Sequence, residues 1–242
     1  VTEEPGHGAQ ETVKALRGVT TSVVDFGPVI KSEFTICSAT RYSGTAKRRI
    51  LLSDGANWLH GHHDNKAGVA YYASASGWKT PEANQVTPNY DWVVLCASNA
   101  GDQLTLVNEW TSSGLISREV VGSTTGGSGD VVLKINAGAA WSGGNEKSDF
   151  DVAEVITWDR GLTAAETWAA HAYLMHHVLN MRALPPSVLL AGPVAHFRQG
   201  GWDLASNTWP NEGSAGGSAT FSGTAMQDVY TGGGGLLGSE VP

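Results

Sequence analysis

The chain has 242 residues, 31 of them glycine, a formal net charge of −8 and only 16% charged residues. This length suits one all-β domain, or one and a half, and is enough to bury a sizeable core. The negative charge argues against nucleic acid and anionic membrane surfaces as partners. No apolar run approaches about 18 residues, so we expect no membrane insertion. The chain begins at Val1 without a signal peptide, so we expect a processed or excised segment.

Short apolar runs alternate with turn residues along most of the chain. Residues 1–12 are polar and lack periodicity, which predicts an exposed N-terminal arm. Residues 13–27 look like a hairpin, and further strands are expected at 34–41, 48–52, 58–63, 68–72, 92–97, 104–107 and 131–136. Short strands that recur at intervals of about 8–12 residues indicate a β-sandwich.

The segment 148–166 carries the strongest local signal. Its alternation with period 2 predicts a strand with one face formed by Phe150, Val152, Glu154, Ile156 and Trp158. Thr163 and Glu166 have the spacing of a capping box, which predicts the start of a helix. That helix is expected to bury an apolar stripe made of Ala165, Trp168, Ala172, Met175 and Leu179.

Four stretches resemble, in order, motifs of the laminin-G-like or concanavalin A-like jelly-roll superfamily. Residues 33–41, 91–99 and 103–109 look like three of its strands, and DFDVAEVITWDRGLTAAE at 149–166 resembles its closing strand and helix. The resemblance covers residues 12–185. It implies an all-β, two-sheet jelly-roll sandwich with one amphipathic helix after the closing strand.

The C-terminal part of the chain resembles the opening of the same superfamily, so the chain order is rotated. The LPPS stretch at 184–187 ends the helix, and residues 188–231 carry the motifs that normally come first. We therefore divide the chain into an N-terminal arm at 1–12, a jelly-roll body at 13–187 and opening strands at 188–242.

A missing opening strand would leave a row of backbone groups unpaired. The opening strands can fold back on their own domain, or they can complete the sheet of the next copy by strand addition. We favour the second arrangement, which does not close and would generate filaments. The residues expected to make this assembly contact are Val188, Leu189, Leu190, Val194, Phe197 and Trp209.

The chain has two cysteines, Cys37 and Cys96, and the sequence alone leaves them open between two buried thiols and one bridge. Pentraxins, members of the same superfamily, carry a disulfide between two strands that residues 34–37 and 93–96 resemble. The resemblance therefore implies a disulfide here. Such a bridge would contribute about 4 kcal/mol in the chain-entropy model, and it indicates an oxidising, extracellular compartment.

No catalytic residues are expected. Jelly-roll glucanases resemble one another in a Glu-x-Asp-x-Glu strand, which places the catalytic carboxylates on one face. Asp149, Asp151 and Glu154 do not keep that spacing. The sequence therefore predicts that the protein is not an enzyme.

Metal binding is a second question that the sequence leaves open. Many relatives bind sugar or phosphate through calcium, but the oxygen ligands available here are scattered, and the ordinary turn chemistry of Asp and Asn explains them better. The calcium candidates are Asp54, Asn57, Asp64, Asn65 and Asp149. The HGHH run at 60–63 could place His60 and His62 on one strand face as zinc ligands, but a solvated or hydrogen-bonded surface explains it better.

Nine tryptophans could supply a carbohydrate platform, because sugars stack on exposed aromatic faces. The strand or helix phase of Trp92, Trp158 and Trp168 predicts that these three lie in the core. The four candidates for glycan contact lie in loops rich in glycine and serine, and are Trp78, Trp110, Trp141 and Trp202.

Two functions compete at this stage. The first is an extracellular structural and adhesive repeat module that assembles with copies of itself into filaments. The alternative is a lectin-like carbohydrate-binding domain, with calcium as an optional cofactor. Fold alone does not decide between them.

Overall fold

A computed structural model describes most of the chain. The described residues are 4–5, 7–9, 12–73, 77–112, 114–123, 125–139, 143–179, 192–198, 201–222 and 227–232. They form strands β1 (Glu4–Pro5), β2 (Val13–Gly18), β3 (Val23–Ile30), β4 (Thr35–Tyr42), β5 (Leu51–Ser53), β6 (Trp58–His63), β7 (Lys66–Tyr72), β8 (Val93–Ser98), β9 (Leu106–Thr111), β10 (Gly114–Glu119), β11 (Val131–Ile135), β12 (Phe150–Trp158), β13 (Ala195–Phe197), β14 (Thr208–Pro210), β15 (Ser218–Ser222) and β16 (Gln227–Gly232), and the helix α1 (Ala164–His177).

These strands form two sheets that pack face to face. Sheet A has the order β1-β16-β2-β12-β4-β8-β9-β10, and β13 also pairs with β12. Sheet B has the order β14-β15-β3-β11-β5-β6-β7. The pairings are antiparallel, apart from the two-residue parallel contact of β1 with β16. The prediction of an all-β, two-sheet sandwich with one helix after the closing strand is confirmed.

The core between the sheets is built around three large aromatic side chains. Phe34 lies just before β4, while Trp58 and Tyr72 come from β6 and β7 in sheet B. The Tyr72 ring lies 5.0 Å from Phe34 and 4.9 Å from Trp58, measured between centroids. Such contacts add to the free energy gained by burying the rings themselves.

Strand β12 departs from simple alternation because it contains a β-bulge between Val152 and Glu154. Val152 and Val155 face the core between the sheets, whereas Ala153 and Ile156 face the helix. The single face predicted from Phe150 to Trp158 is therefore wrong beyond Val152. An extra residue in one strand moves all later side chains to the opposite face.

Helix α1 begins as predicted, but of the predicted stripe only Met175 and Leu179 are buried. Thr163 and Glu166 form the expected capping box. The buried helical residues are Thr167, Ala170, His171, Leu174 and Met175. Trp168 is 41% exposed, so its predicted core position is wrong. No helix in the described part of the chain is long and apolar enough to cross a membrane.

Two polar residues explain why the helical stripe was misjudged. Thr167 donates its hydroxyl to the carbonyl of Thr163. The His171 ring bonds the Ser117 hydroxyl through Nδ1 at 2.8 Å and the Val94 carbonyl through Nε2 at 3.1 Å. Because their hydrogen bonds are satisfied, these side chains can be buried at little cost, and an apolar pattern does not reveal them.

Cys37 and Cys96 form a disulfide that joins β4 to β8, in agreement with the pairing implied by the resemblance. The two cysteines lie directly opposite each other across the strand pair. Both are fully buried in the core between sheet A and α1. The bridge closes a loop with a sequence separation of 59 residues, for which the chain-entropy model gives about 4 kcal/mol of stabilisation.

The C-terminal strands, predicted to be the opening strands of a rotated chain, pair with strands of the same chain. Strand β13 pairs with β12, β15 with β3, and β16 with β2. Strand addition to a neighbouring copy is therefore not needed to satisfy these backbone groups, and the predicted assembly contact stays a prediction. Phe197 and Trp209 pack against Phe26, and Val194 is also buried. The other three predicted assembly residues, Val188, Leu189 and Leu190, lie outside the described residues.

The N-terminal arm is not simply exposed where the structure describes it. Strand β1 pairs with β16. The His7 carbonyl accepts a hydrogen bond from the Trp92 amide at 2.8 Å, and Ala9 is buried. These contacts hold part of the arm against sheet A.

Because Trp209 fills the core of its own chain, we expect Trp209→Ala to lower the free energy of unfolding by about 3–5 kcal/mol. Urea unfolding followed by far-UV circular dichroism measures the loss. Trp168→Ala is the matched control and should cost less than about 1 kcal/mol, since Trp168 is exposed. A loss that grew on dilution of the protein would instead indicate that Trp209 packs between chains.

Candidate functional site

The four tryptophans expected to contact glycans have different environments. Trp110 on β9 is 41% exposed, and its indole N–H donates to the Gly8 carbonyl at 3.2 Å. Trp78 is half-buried in the loop after β7. Trp202 is only 7% exposed, because it packs edge-on against Trp209 in the core, so its predicted role as a surface platform is wrong. Trp141 lies outside the described residues.

Trp78 belongs to a cluster of three rings, which we call the aromatic patch: His63, Tyr71 and Trp78. Trp78 lies 5.4 Å from His63 and 5.5 Å from Tyr71 between ring centroids. His63 ends β6, and Tyr71 precedes the inward-facing Tyr72 on β7. Because side chains alternate along a strand, Tyr71 points to the outer face of sheet B. The sequence did identify Trp78, but not the two rings beside it.

The loop that carries Trp78 is held in place by Ser123. The Trp78 amide donates to the Ser123 hydroxyl at 3.1 Å, and the Ser123 amide donates to the Trp78 carbonyl at 3.0 Å. The indole therefore projects from an anchored backbone. Such anchoring lowers the entropy lost when a ligand stacks on the ring.

A buried ion pair lies close to the aromatic patch. The Arg49 guanidinium approaches the Glu146 carboxylate to 3.3 Å, and Arg49 is buried. Burial lowers the pKa of His63, and the positive charge of Arg49 lowers it further. His63 is therefore a neutral ring at pH 7, and its Nδ1 has no hydrogen-bond partner among the described residues.

A cavity of about 670 Å³, which we call the cleft, adjoins this ion pair. Its described lining residues are polar or small: Thr20, Thr21, Thr45, Ala46, Lys47, Arg48, Asn65, Gly144, Asn145 and Lys147. Arg48 and Asn145 are the sequence neighbours of Arg49 and Glu146. The cleft and the ion pair are thus built on the same chain segments, and Asn65 of the cleft follows His63 of the aromatic patch by two residues.

The calcium candidates do not come together in a metal site. The Asp54 carboxylate accepts from the Lys134 ammonium at 2.8 Å, and Asp64 pairs with Arg48. Asp149 accepts from the Ala46 amide at 3.0 Å. Asn57 and Asn65 are exposed turn residues. Within the described ranges no three His, Cys, Asp or Glu side chains are arranged to hold a metal ion.

His60 and His62 are core residues rather than the surface residues that the sequence suggested. The His60 ring bonds the Tyr72 hydroxyl at 2.8 Å and the Leu95 carbonyl at 3.2 Å. His62 lies 3.4 Å from the Thr40 hydroxyl. Their partners on β4 and β8 belong to the opposite sheet, so both rings cross the sandwich interior. Burial lowers the pKa of each ring to about 3.

Sequence analysis missed a polar cluster around the buried Glu154. Its carboxylate accepts from His196 Nε2 at 2.6 Å and lies 3.7 Å from His177 Nε2. Burial, followed by the charge of Glu154, raises the pKa of Tyr173. These groups come from β12, β13 and α1. Because His196 is 42 residues from Glu154 along the chain, local sequence patterns do not predict the cluster.

Comparisons with known proteins define the class of the fold. No protein-family model matches the chain, and no curated protein sequence matches it. Among solved structures, the chain is similar to a "putative carbohydrate binding protein" from Bacteroides ovatus, with a TM-score of 0.57 and 14% sequence identity. The match covers 90% of this chain and 60% of the other, so this chain spans less than two thirds of that protein. At this identity the likeness shows the β-sandwich fold alone.

The buried histidines predict acid sensitivity. The pKa is about 3 for His60 and His62 and about 4 for His171 in the folded protein, because burial disfavours the charged ring, against 6.5 for an ordinary histidine. Below pH 6.5 the unfolded chain therefore binds more protons than the folded one. The three histidines alone should then lower the free energy of unfolding by up to about 4 kcal/mol for each unit by which the pH falls between 6 and 4. Asp91, whose pKa burial raises to about 6, offsets part of this loss.

Urea titrations at several pH values measure this slope. His171→Gln keeps a hydrogen-bonding side chain without the titration, so the slope should decrease by about one third. Stability that stays constant from pH 6.5 to 4.5 would contradict the prediction.

Proposed function

We propose that this protein is a glycan-binding domain whose ligand stacks on the aromatic patch. The observation that carries the proposal is the cluster of three rings on the outer face of sheet B, beside a charged pair and an open cleft. A binding site of this kind combines apolar faces for contact with a few polar groups that fix orientation. Sugars present both kinds of surface, since their C–H faces stack on rings and their hydroxyls form hydrogen bonds.

Two further lines support this proposal. The ordered motifs at 33–41, 91–99, 103–109 and 149–166, together with the two-sheet architecture, favour membership of the laminin-G-like or concanavalin A-like jelly-roll superfamily. The fold is also similar to that of the Bacteroides ovatus protein described above, whose name refers to carbohydrate binding. The buried disulfide favours an extracellular or cell-surface location, where glycans are abundant.

We propose that binding does not need calcium. Asp54 and Asp64 are each paired with a cationic side chain, and Asp149 accepts a backbone amide. The function favoured from the sequence, assembly into filaments, loses its main argument because β13, β15 and β16 pair within their own chain. The glycan-binding function therefore has the stronger physical basis.

Removing the central ring of the patch should remove most of the affinity. We expect Trp78→Ala to weaken binding by about 30-fold for a glycan identified on an array, which corresponds to about 2 kcal/mol for a stacked aromatic anchor. Isothermal titration calorimetry, with and without EDTA, measures the change. Trp168→Ala is the matched control, because it removes an exposed indole from α1, the helix that packs on sheet A, on the other side of the sandwich from the aromatic patch.

Equal losses in the two variants, or full affinity in Trp78→Ala, would contradict the assignment of the site. Binding that disappears with EDTA would contradict the calcium-independent mechanism.

We also expect binding without cleavage. Glu154 is buried and bonded to His196, and it lies on β12 of sheet A rather than at the aromatic patch on sheet B. Incubation with β-glucan, agarose or alginate should therefore release no reducing sugar. Turnover that is lost in Glu154→Gln would show instead that the Glu154 cluster is catalytic.

A further inference from the structure

The cleft has a charge opposite to that of the whole chain. The protein carries a formal net charge of −8. The cleft is lined by three cationic side chains, Lys47, Arg48 and Lys147, and no carboxylate appears among its described lining residues. A local concentration of one sign of charge in a concave site attracts ligands of the opposite sign.

Two of the three cations are not neutralised within the described part of the chain. Arg48 forms an ion pair with Asp64. Lys47 donates to the neutral Asn89 side chain at 3.2 Å and lies 5.9 Å from the ring of Tyr90. Lys147 has no side-chain partner among the described residues. The ammonium groups of Lys47 and Lys147 are therefore free to bind an anion.

Neutral hydrogen-bonding groups surround these ammonium groups. The hydroxyls of Thr20, Thr21 and Thr45 and the amide of Asn145 line the cleft. They can donate to and accept from the hydroxyls of a sugar. A small inorganic anion would leave most of these neutral groups without a contact. An anionic sugar would contact both the ammonium groups and the neutral groups.

The backbone around the cleft is held in place before any ligand binds. The Arg48 amide donates to the Ser148 hydroxyl at 2.8 Å, and the Ala46 amide donates to Asp149 at 3.0 Å. Ser148 is also bonded to the buried Asn136 through its amide. These bonds tie the 45–48 segment to the 145–149 segment, which keeps Lys47 and Lys147 on a common site.

We propose that the cleft binds the anionic group of an acidic glycan. The carboxylate or sulfate of one sugar is held by Lys47 and Lys147, and a neighbouring sugar stacks on the aromatic patch. Segments 47–49, 63–65 and 145–147 connect the two regions, so one oligosaccharide can reach both. This inference rests on the proposed glycan-binding function and specifies its ligand class.

Matched pairs of ligands test the proposal through charge alone. The first pair is a tetragalacturonate and its methyl ester, and the second is a sulfated galactan oligosaccharide and its desulfated form. Wild-type protein in about 50 mM salt should bind the charged member of at least one pair about tenfold more tightly, because two charge-assisted contacts are added. The preference should shrink in about 500 mM salt, where the Debye length is only a few ångströms.

Variants assign the preference to the cleft. Lys47→Gln combined with Lys147→Gln should reduce the tenfold preference to about twofold, because the charged member loses its two charge-assisted contacts. Lys31→Gln is the charge-matched control and should change nothing, because Lys31 does not line the cleft. Trp78→Ala should weaken both members equally.

The outcomes separate the two proposals. Equal affinity for charged and uncharged members, or a preference that survives in the double lysine variant, overturns the acidic-glycan inference and leaves glycan binding standing. If neither pair binds but an uncharged glycan on an array binds through Trp78, the inference also fails alone. If no glycan binds at all, both proposals fail. If the double lysine variant loses the preference in only one of the two ligand pairs, that pair shows whether the cleft recognises a carboxylate or a sulfate.

Discussion

One edge of β12 must be paired along its length, and no single strand does so. Strand β2 pairs with residues 150–152 of β12, and β13 pairs with residues 155–157. A buried backbone group without a partner costs about 1–3 kcal/mol, so the edge requires both strands. The return of the C-terminal segment follows from this requirement. That return also places β15 at the edge of β3 and β16 at the edge of β2.

Buried charges then fix the register of the same strand. The Asp151 carboxylate accepts hydrogen bonds from the Nε atoms of Arg17 and Arg41, each at 2.7 Å. All three side chains are largely or fully buried. Three residues further along β12, the Glu154 carboxylate accepts a hydrogen bond from His196 on β13. A slip of β12 by one residue would leave these charged side chains buried without partners. An unpaired buried charge destabilises the fold far more than a surface ion pair stabilises it. The polar pairs therefore act mainly against alternative registers.

Local patterns in the sequence were enough to predict the layered architecture, the capping box at Thr163 and the closing strand itself. They could not predict features that depend on distant contacts. The bulge at Val152 reversed the later faces of β12 without any glycine or proline to mark it. His60, His62 and His171 look like surface residues until their partners on other strands are known. The aromatic patch was predicted in part, since Trp78 stood out in its loop, but Tyr71 and His63 required the register of β6 and β7.

The disulfide has a mechanical consequence for the proposed binding surface. It joins residues 37 and 96 covalently, and this closed loop contains all three rings of the aromatic patch together with Lys47 and Arg49. A pulling force applied to the two ends of the domain is transmitted through the disulfide, so the chain between residues 37 and 96, a sequence separation of 59, bears no load. About 200 Å of extended chain is thereby excluded from any stretching. The strands that carry the rings would thus stay tethered to each other under tension, even after the rest of the sandwich had been pulled apart.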